Sequence, residues 1–238
     1  MDLLTDKEKT YEAVLHLGID TDTQDMSGTV LEEKPVNVTE EEVRKVLKSF
    51  VGEQLQVPPM YSALKVNGKK LYELAREGKT VERKARPVCF YEIEPLEFHL
   101  PLVKIRVTCS KGTYIRTLCH DIGEKLGCGG CMEELLRSRV GRYSLFESHT
   151  LAQVEAAVAD GTVQDMIDPV EAVLAEYPAL YADSYGDRLL ANGNPLSDNL
   201  VRPQHKEGWV RMYASDGTFT GIFQWDAGKK KYYPVKMF

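Results

Sequence analysis

The 238-residue sequence has no stretch close to the roughly 18 consecutive apolar residues that a membrane-spanning helix needs. It has neither a phosphate-binding glycine loop nor a dinucleotide fingerprint, which argues against an enzyme built around a nucleotide cofactor. It shows no internal repeat and no low-complexity tract. Its five cysteines are an odd number, scattered through a chain too long to need disulfide staples, so they predict a reduced, cytoplasmic protein.

The same cysteines offer little to a metal. Cys128 and Cys131 have CxxC spacing, but no second pair and no histidine at a ligand interval accompanies them, which favours packing in a glycine-rich turn. Cys119, His120 and Asp121 are triad residue types, yet adjacent helix positions point in different directions. The cysteine pattern therefore favours neither a zinc site nor a redox site.

Charge is distributed unevenly along the chain, whose formal net charge is −6. Residues 61–86 carry 8 basic and 3 acidic residues, net +5, whereas residues 1–60 carry 6 basic and 13 acidic residues, net −7. A basic island in an acidic chain is typical of a localised polyanion site. A solvated surface segment has the same composition, so charge alone leaves both interpretations open.

Apolar spacing predicts a chain that contains both strands and helices. Alternation predicts strands over 10–17, 87–98 and 103–109. Thr39 and Glu42 form a capping-box pair before apolar residues at helical spacing. A further helix is expected to begin near Thr113, Thr150 with Gln153 marks another helix start, and Asp168-Pro169 with Glu171 a third.

The last 60 or so residues have a different texture. Asn192-Gly193-Asn194-Pro195 is a turn cluster, and Asp216-Gly217 between two alternating segments is a hairpin signal. These features predict a small β-barrel. We therefore divide the chain into a larger domain at 1–177 and a barrel at 178–238.

The segment CSKGTYIRT at 109–117 is the most informative motif. A strand, a tight Lys111-Gly112 turn and a helix start offer free backbone N–H groups to an anion. Tyr114 and Arg116 project near the same point, where an aromatic face suits a displaced base and a guanidinium suits a carboxylate or phosphate. A packed tyrosine and a surface arginine at an ordinary turn remain the alternative.

Two further segments mix residue types that suit RNA. MYSALKVNGKKLYELAR at 60–76 interleaves tyrosines with Lys65, Lys69 and Lys70, as stacking on bases and neutralisation of phosphates require. Its apolar residues suit a helix core equally well. Three arginines between Arg137 and Arg142 give either a phosphate track or a solvated edge strand.

Taken together, these segments resemble the bacterial-type tRNA pseudouridine-55 synthases, the TruB family. The matching segments follow one another in order and cover nearly the whole chain: KTYEAVLHLGIDTDTQDMSG at 9–28, QVPPMYSALKVNGKKLYELAREG at 56–78, CSKGTYIRTLCHDIGEKLGCG at 109–129 and LLRSRVGRYSL at 135–145. RLLANGN at 188–194 and the closing PVKMF resemble that family's PUA-type RNA-binding barrel.

The resemblance implies an α+β fold with a mainly antiparallel sheet. It also implies an isomerase that turns a uridine in the T-arm of tRNA into pseudouridine, without cofactor or metal and, we expect, as a monomer. Tyr11 would stack on the flipped uracil and assist proton removal. Tyr114 and Leu135 would line the uridine pocket, with Asp25 as a secondary pocket residue. Arg116 would pair with the catalytic aspartate. The positions implied to hold the RNA are Lys65, Lys69, Lys70, Lys111 and Arg137.

The printed residues contain no counterpart of the GHTGTLDP-like segment that bears the family's catalytic aspartate. We therefore expect Arg116 to lack a carboxylate partner, and the chain by itself to be marginally stable. We also expect it to bind tRNA without modifying it. The alternatives are a non-catalytic RNA-binding or RNA-folding protein and, more remotely, an unrelated metabolic enzyme, which would show no RNA affinity and no salt dependence.

Overall fold

The computed structural model describes residues 8–66 and 68–238. The Met1-Asp2-Leu3-Leu4 start, next to which the catalytic segment is expected, lies outside the described residues. The chain divides into two compact units, with the boundary between Ser148 and His149. No described helix is long and apolar enough to cross a membrane.

The first unit is built on a six-stranded sheet with the order β10-β9-β1-β8-β7-β4, in which every neighbouring pair is antiparallel. Its strands, with those of two small hairpins, are β1 (Lys9–Leu17), β2 (Ile19–Thr21), β3 (Val30–Glu33), β4 (Gly52–Gln56), β5 (Lys65–Val66), β6 (Lys69–Lys70), β7 (Arg86–His99), β8 (Leu102–Cys109), β9 (Gly130–Val140) and β10 (Tyr143–Ser144). Its helices are α1 (Glu40–Ser49), α2 (Leu71–Arg76) and α3 (Ile115–Leu126), and a 3-10 turn spans Leu145–Glu147.

One face of this sheet is buried under α1 and α3. Strand alternation places the apolar residues of β1 and β8 on that face, and Leu15, Val103 and Ile105 are fully buried there. The helices contribute Leu47 and Leu118 to the same core. A separate small cluster of Met60, Leu71 and Leu74 lies under α2.

Helix α3 approaches the sheet closely at Gly123. A Cβ atom at this position would lie 2.2 Å from the carbonyl carbon of Gly129 and from the amide nitrogen of Gly130. The helix ends at Gly127, whose φ of +78° suits glycine. The glycine-rich turn therefore packs directly on the helix and buries the two cysteines that flank it, Cys128 and Cys131.

The second unit contains a barrel-like, six-stranded sheet with the order β12-β16-β15-β14-β11-β13. Its neighbours are antiparallel except for β11 with β14. The elements are α4 (Leu151–Ala159), α5 (Val170–Val173), β11 (Ala179–Ala182), α6 (Ser184–Leu190), β12 (Leu196–Ser197), β13 (Val201–Arg202), β14 (Trp209–Tyr213), β15 (Phe219–Asp226) and β16 (Lys231–Met237), with 3-10 turns at Val163–Met166 and Asp198–Leu200. Tyr232 and Phe223 are fully buried in its core.

The predicted α+β fold and its main elements are confirmed. The capping box of Thr39 and Glu42 makes both of its hydrogen bonds, as does that of Thr150 and Gln153. All four inward residues of β8 are fully buried. The Asp216-Gly217 turn joins β14 to β15. Local patterns succeeded here because the apolar period and the caps agree with the tertiary packing.

We expect Gly123→Ala to destabilise the first unit, although alanine is normally the better helix residue by about 1 kcal/mol. Its methyl group would overlap the backbone of Gly129 and Gly130, and overpacking costs roughly 1–3 kcal/mol, occasionally more. Gly186→Ala in α6 is the matched control with a smaller expected cost, because its methyl group would meet the Cβ of Ala182 and the movable Cδ2 of Leu196 at 2.9 Å, and not backbone atoms at 2.2 Å. Urea denaturation measures both. An unchanged midpoint for Gly123→Ala would contradict the close helix–sheet approach.

Candidate active site

The sheet face that carries the core continues beyond α3 into an open region. Tyr11 of β1 pairs with Arg137 of β9, and Ala13 pairs with Leu135, so these four residues share one face. Ala13 is buried, but Leu135 is 45% exposed and Arg137 is also exposed. The apolar floor of the sheet is therefore accessible at this end.

Arg116, in the first turn of α3, forms an ion pair with Asp25 of the loop between β2 and β3. The Nη1 atom of Arg116 lies 2.9 Å from Oδ2 of Asp25, and the two side chains are 23% and 16% exposed. Arg116 Nη2 also donates to the main-chain carbonyl of Tyr61 at 2.8 Å. The guanidinium thus joins the helix, the loop and the segment after β4.

The carboxylate of Asp25 has donors on both oxygens. Oδ1 accepts hydrogen bonds from Thr23 Oγ1 at 2.8 Å, from the Ser27 amide at 3.0 Å and from the Ser27 hydroxyl; Oδ2 accepts from Arg116. Burial opposes ionisation, but the Ser27 and Thr23 hydrogen bonds and the Arg116 charge outweigh it and hold the pKa of Asp25 below its ordinary value. A carboxylate engaged in this way is suited to orienting an arginine and poorly suited to nucleophilic attack.

Further hydrogen bonds, from one side chain and from the main chain, fix the loop that carries Asp25. Thr117 of α3 donates to the side chain of Gln24 at 2.8 Å. Main-chain hydrogen bonds link Met132 of β9 with Gln24 and with Met26, both at 3.0 Å. Gln24 has a φ of +63°, a backbone conformation that costs a non-glycine residue energy and is found preferentially at functional sites.

Tyr114 is the N-cap residue of α3 and follows the exposed Lys111-Gly112 turn. An open cavity of about 420 Å³ lies here, and its lining includes Tyr114, Lys111 and Arg86. An aromatic ring and two cations around a cavity provide stacking and charge for an anionic ligand with a planar group.

Tyr11 is half-buried beside Arg137. Burial raises the pKa of the Tyr11 phenol, a neighbouring Cys109 acts in the same direction, and the Arg137 charge and hydrogen bond oppose them. The phenol is therefore neutral at pH 7. In this state its ring can stack and its hydroxyl can donate or accept a hydrogen bond.

Three lysines of the 60–76 segment, Lys65, Lys69 and Lys70, lie in a short hairpin. Lys65 of β5 pairs directly with Lys70 of β6, and like charges opposite one another destabilise a strand pair. Lys70 Nζ donates to the Tyr72 hydroxyl at 3.0 Å, and Lys69 forms an exposed ion pair with Glu77 at 3.3 Å. Glu77 neutralises part of the positive charge of the hairpin, and the rest faces solvent.

The expectation that Arg116 lacks a carboxylate partner is wrong, because Asp25 supplies one at 2.9 Å. The argument for marginal stability from an unpaired buried charge falls with it. Sequence patterns gave Asp25 and Arg116 separately but could not pair them, since the two positions are 91 residues apart in the chain.

Sequence reasoning also missed Gln56, whose side-chain amide makes two hydrogen bonds to the backbone of Tyr114. Gln54 and Gln56 lie on the same face of β4, but only Gln56 is buried. No signal in the sequence distinguishes them. Among the described residues, no group of three or more His, Cys, Asp or Glu side chains is placed to hold a metal ion.

Solved structures share the fold of this chain. The chain superposes on a structure described as a Cbf5-Nop10-Gar1 complex with a TM-score of 0.70 and 23% identity, covering 99% of this chain and 68% of that one. A second match is an H/ACA RNP bound to a substrate RNA containing 2'-deoxyuridine, with a TM-score of 0.69 and 21% identity, covering 100% of this chain and 68% of that one.

Sequence comparison defines the family. Residues 1–115 match the profile described as "TruB family pseudouridylate synthase (N terminal domain)", and residues 116–175 match "tRNA pseudouridylate synthase B C-terminal domain". A tRNA pseudouridine synthase B of Lachnoclostridium phytofermentans is 47% identical over 250 residues, covering all of this chain and 81% of the relative. The counterpart in Clostridium novyi is 43% identical, covering 93% of this chain and 76% of the relative. The chain belongs to the TruB family of pseudouridine synthases, which are isomerases, and the resemblance of its motifs is confirmed.

We expect Asp25→Asn to lower the free energy of unfolding at pH 7, because Arg116 then lacks a charged partner. Breaking a buried pair costs roughly 3–5 kcal/mol, and we expect less here because both side chains keep some exposure. Since the pKa of Asp25 is depressed in the fold, its contribution is complete above the ordinary carboxyl pKa and is lost as the pH falls through the folded-state pKa.

Urea denaturation at pH 7 and at about pH 3 checks this expectation. The difference between wild type and Asp25→Asn should be large at pH 7 and should shrink at the acid end. Asp165→Asn, at an exposed position of the second unit, is the control and should change neither value. An equal loss at both pH values would show that the ionised carboxylate is not what stabilises the loop.

Proposed function

We propose that this chain recognises the T-arm of tRNA in the cytoplasm and holds its uridine 55 in the region bounded by Tyr11, Tyr114, Arg116 and Leu135. The observation that carries the proposal is the Arg116–Asp25 pair at the start of α3, which fixes a guanidinium beside a loop that pairs with β9 at Met132, three residues before Leu135. The names of the curated relatives, which are tRNA pseudouridine synthases, support tRNA as the substrate. The free cysteines agree with a reducing compartment.

The residue types suit the isomerisation. Conversion of uridine to pseudouridine breaks the N1–C1′ bond, rotates the uracil and rejoins it through C5. The base must first leave its stack, which costs a few kcal/mol, and stacking on an aromatic ring such as Tyr11 recovers roughly 1–3 kcal/mol per base. Leu135 supplies an apolar wall that excludes water while the glycosidic bond is open.

The basic hairpin supports recognition of the phosphate backbone. Lys65 and Lys70 face each other across two short strands, an arrangement that costs the free protein stability and that a polyanion would relieve. The exposed Lys111 and Arg137 lie on the elements that carry Tyr114 and Leu135. We assign Lys65, Lys69, Lys70, Lys111 and Arg137 to contacts with the RNA, and the proposed function requires no metal.

We propose that the 238-residue chain binds and orients the uridine but does not convert it to pseudouridine. In the TruB resemblance the reaction starts from an aspartate in a GHTGTLDP-like segment, which the sequence does not contain. Asp25 does not replace it, because both of its oxygens are engaged by Thr23, Ser27 and Arg116. If the aspartate of such a segment were present, it would pair with Arg116 only by sharing the guanidinium with Asp25.

We expect the 238-residue chain to bind an unmodified tRNA and to release no tritium from uridine labelled at C5. The same chain preceded by a GHTGTLDP-type segment from a TruB relative should release tritium. An Asp-to-Asn change in that added segment is the matched control and should abolish release. Turnover by the printed chain alone would refute the division of roles, and absence of tRNA binding would refute the function itself.

We expect Lys65→Gln to weaken tRNA binding and to reduce its salt dependence. Each phosphate contact that is lost should lower the slope of log K against log salt concentration by about 1. Lys45→Gln is the matched control, because Lys45 is an exposed lysine of the same unit on α1, outside the basic hairpin. Filter binding at several salt concentrations measures both slopes. Equal slopes for the two variants would remove the hairpin from the RNA surface.

A further inference from the structure

Gln56, the last residue of β4, is a buried polar side chain with two well-formed hydrogen bonds. It is 3% exposed. Its Nε2 atom donates to the carbonyl of Tyr114 at 3.0 Å, and its Oε1 atom accepts from the Tyr114 amide at 2.8 Å. The carboxamide therefore pairs with the backbone of one residue in the way that a neighbouring strand would.

That residue occupies a sensitive position. Tyr114 is the N-cap of α3, has φ −105° and ψ 110°, and receives no capping hydrogen bond from its own side chain. Its carbonyl accepts the first helical hydrogen bond, from Leu118 at 3.1 Å. Because Gln56 holds both the N–H and the C=O of Tyr114, it fixes the peptide planes on either side of the ring and the direction in which the first turn of the helix leaves.

The segment that begins with Gln56 reaches the same turn a second time. Five residues later the carbonyl of Tyr61 accepts from Arg116 Nη2 at 2.8 Å. Between these two points Arg83 Nη1 donates to the carbonyl of Pro58 at 3.2 Å. Residues 56–61 therefore hold both the aromatic and the cationic member of the candidate site, one through its backbone and the other through its side chain.

We infer that Gln56 is a positioning residue that sets the Tyr114 ring for contact with the uracil of the bound RNA. This inference rests on the proposed function, since it assumes that a uracil occupies the region beside Tyr114. Loss of the carboxamide leaves the Tyr114 amide without its acceptor, an outcome that costs more than the hydrogen bond itself. The backbone of Tyr114 would then rotate to form other hydrogen bonds, and this rotation would move the Tyr114 ring.

The test compares two hairpin RNAs that carry the T-arm, one with uridine and one with an abasic nucleotide at the target position. The ratio of their dissociation constants isolates the part of the affinity that depends on the base. For the wild-type chain we expect a ratio on the order of tenfold, which is within what stacking of one base supplies. A general loss of stability would weaken both RNAs and leave the ratio unchanged.

Gln56→Met keeps the size of the side chain and removes both hydrogen bonds. We expect it to bring the ratio to within about twofold of unity while the abasic hairpin binds almost as in wild type. Gln54→Met is the matched control on the same strand, since Gln54 is partly exposed and its only described side-chain hydrogen bond is a long one to Ser49. It should retain the wild-type ratio.

Gln56→Glu provides a second variant, because its carboxylate can still accept from the Tyr114 amide but cannot donate to the carbonyl. We expect a ratio as low as that of Gln56→Met, because the carboxylate faces the Tyr114 carbonyl oxygen, and slower hydrogen exchange at the Tyr114 amide than in Gln56→Met, because that amide keeps its acceptor. A wild-type ratio in the folded Gln56→Met or Gln56→Glu chain overturns the inference alone. A ratio of unity in the wild-type chain overturns the proposed uridine site and the inference with it.

Discussion

The ion pair of Arg116 with Asp25 connects the parts of the first unit that local sequence cannot bring together. One guanidinium binds the loop between β2 and β3 through the carboxylate, and the segment after β4 through the carbonyl of Tyr61. The pair is mostly shielded from water, so its attraction is screened little and its geometry is fixed by several hydrogen bonds. The positions of the loop, the helix start and the 56–61 segment all depend on this contact.

The same contact supports the proposed separation of binding from chemistry in this chain. Asp25 neutralises the charge of Arg116 and fixes the position of its guanidinium. Arg116 can therefore orient a neighbouring group, and its own stability does not depend on a second carboxylate. Asp25 in turn has no free oxygen with which to attack a sugar or a base. The arrangement is compatible with the stacking, wall and charge roles that we propose for Tyr11, Tyr114, Leu135 and Arg116.

Packing constraints set the frame for this site. The close approach of α3 to the Gly129-Gly130 turn fixes one end of the helix, and the Gln56 carboxamide fixes the other at Tyr114. Between them the helix buries Leu118 and Ile122 against the sheet. A helix held at both ends and along one face places Arg116 reproducibly, which is what a site built from several chain segments requires.

The sequence by itself determined the α+β class, the strands β1, β7 and β8, the capped helices and the hairpin at Asp216-Gly217, because each depends on a local period or a local hydrogen bond. Its motifs also determined the family, and with it the residue types of the site. Only the tertiary structure decided that Asp25 partners Arg116, that Gln56 and not Gln54 is buried, and that Lys65 faces Lys70. These contacts depend on how strands and loops pack against one another. The spacing of residues along the chain does not specify which side chains meet once the sheet has formed.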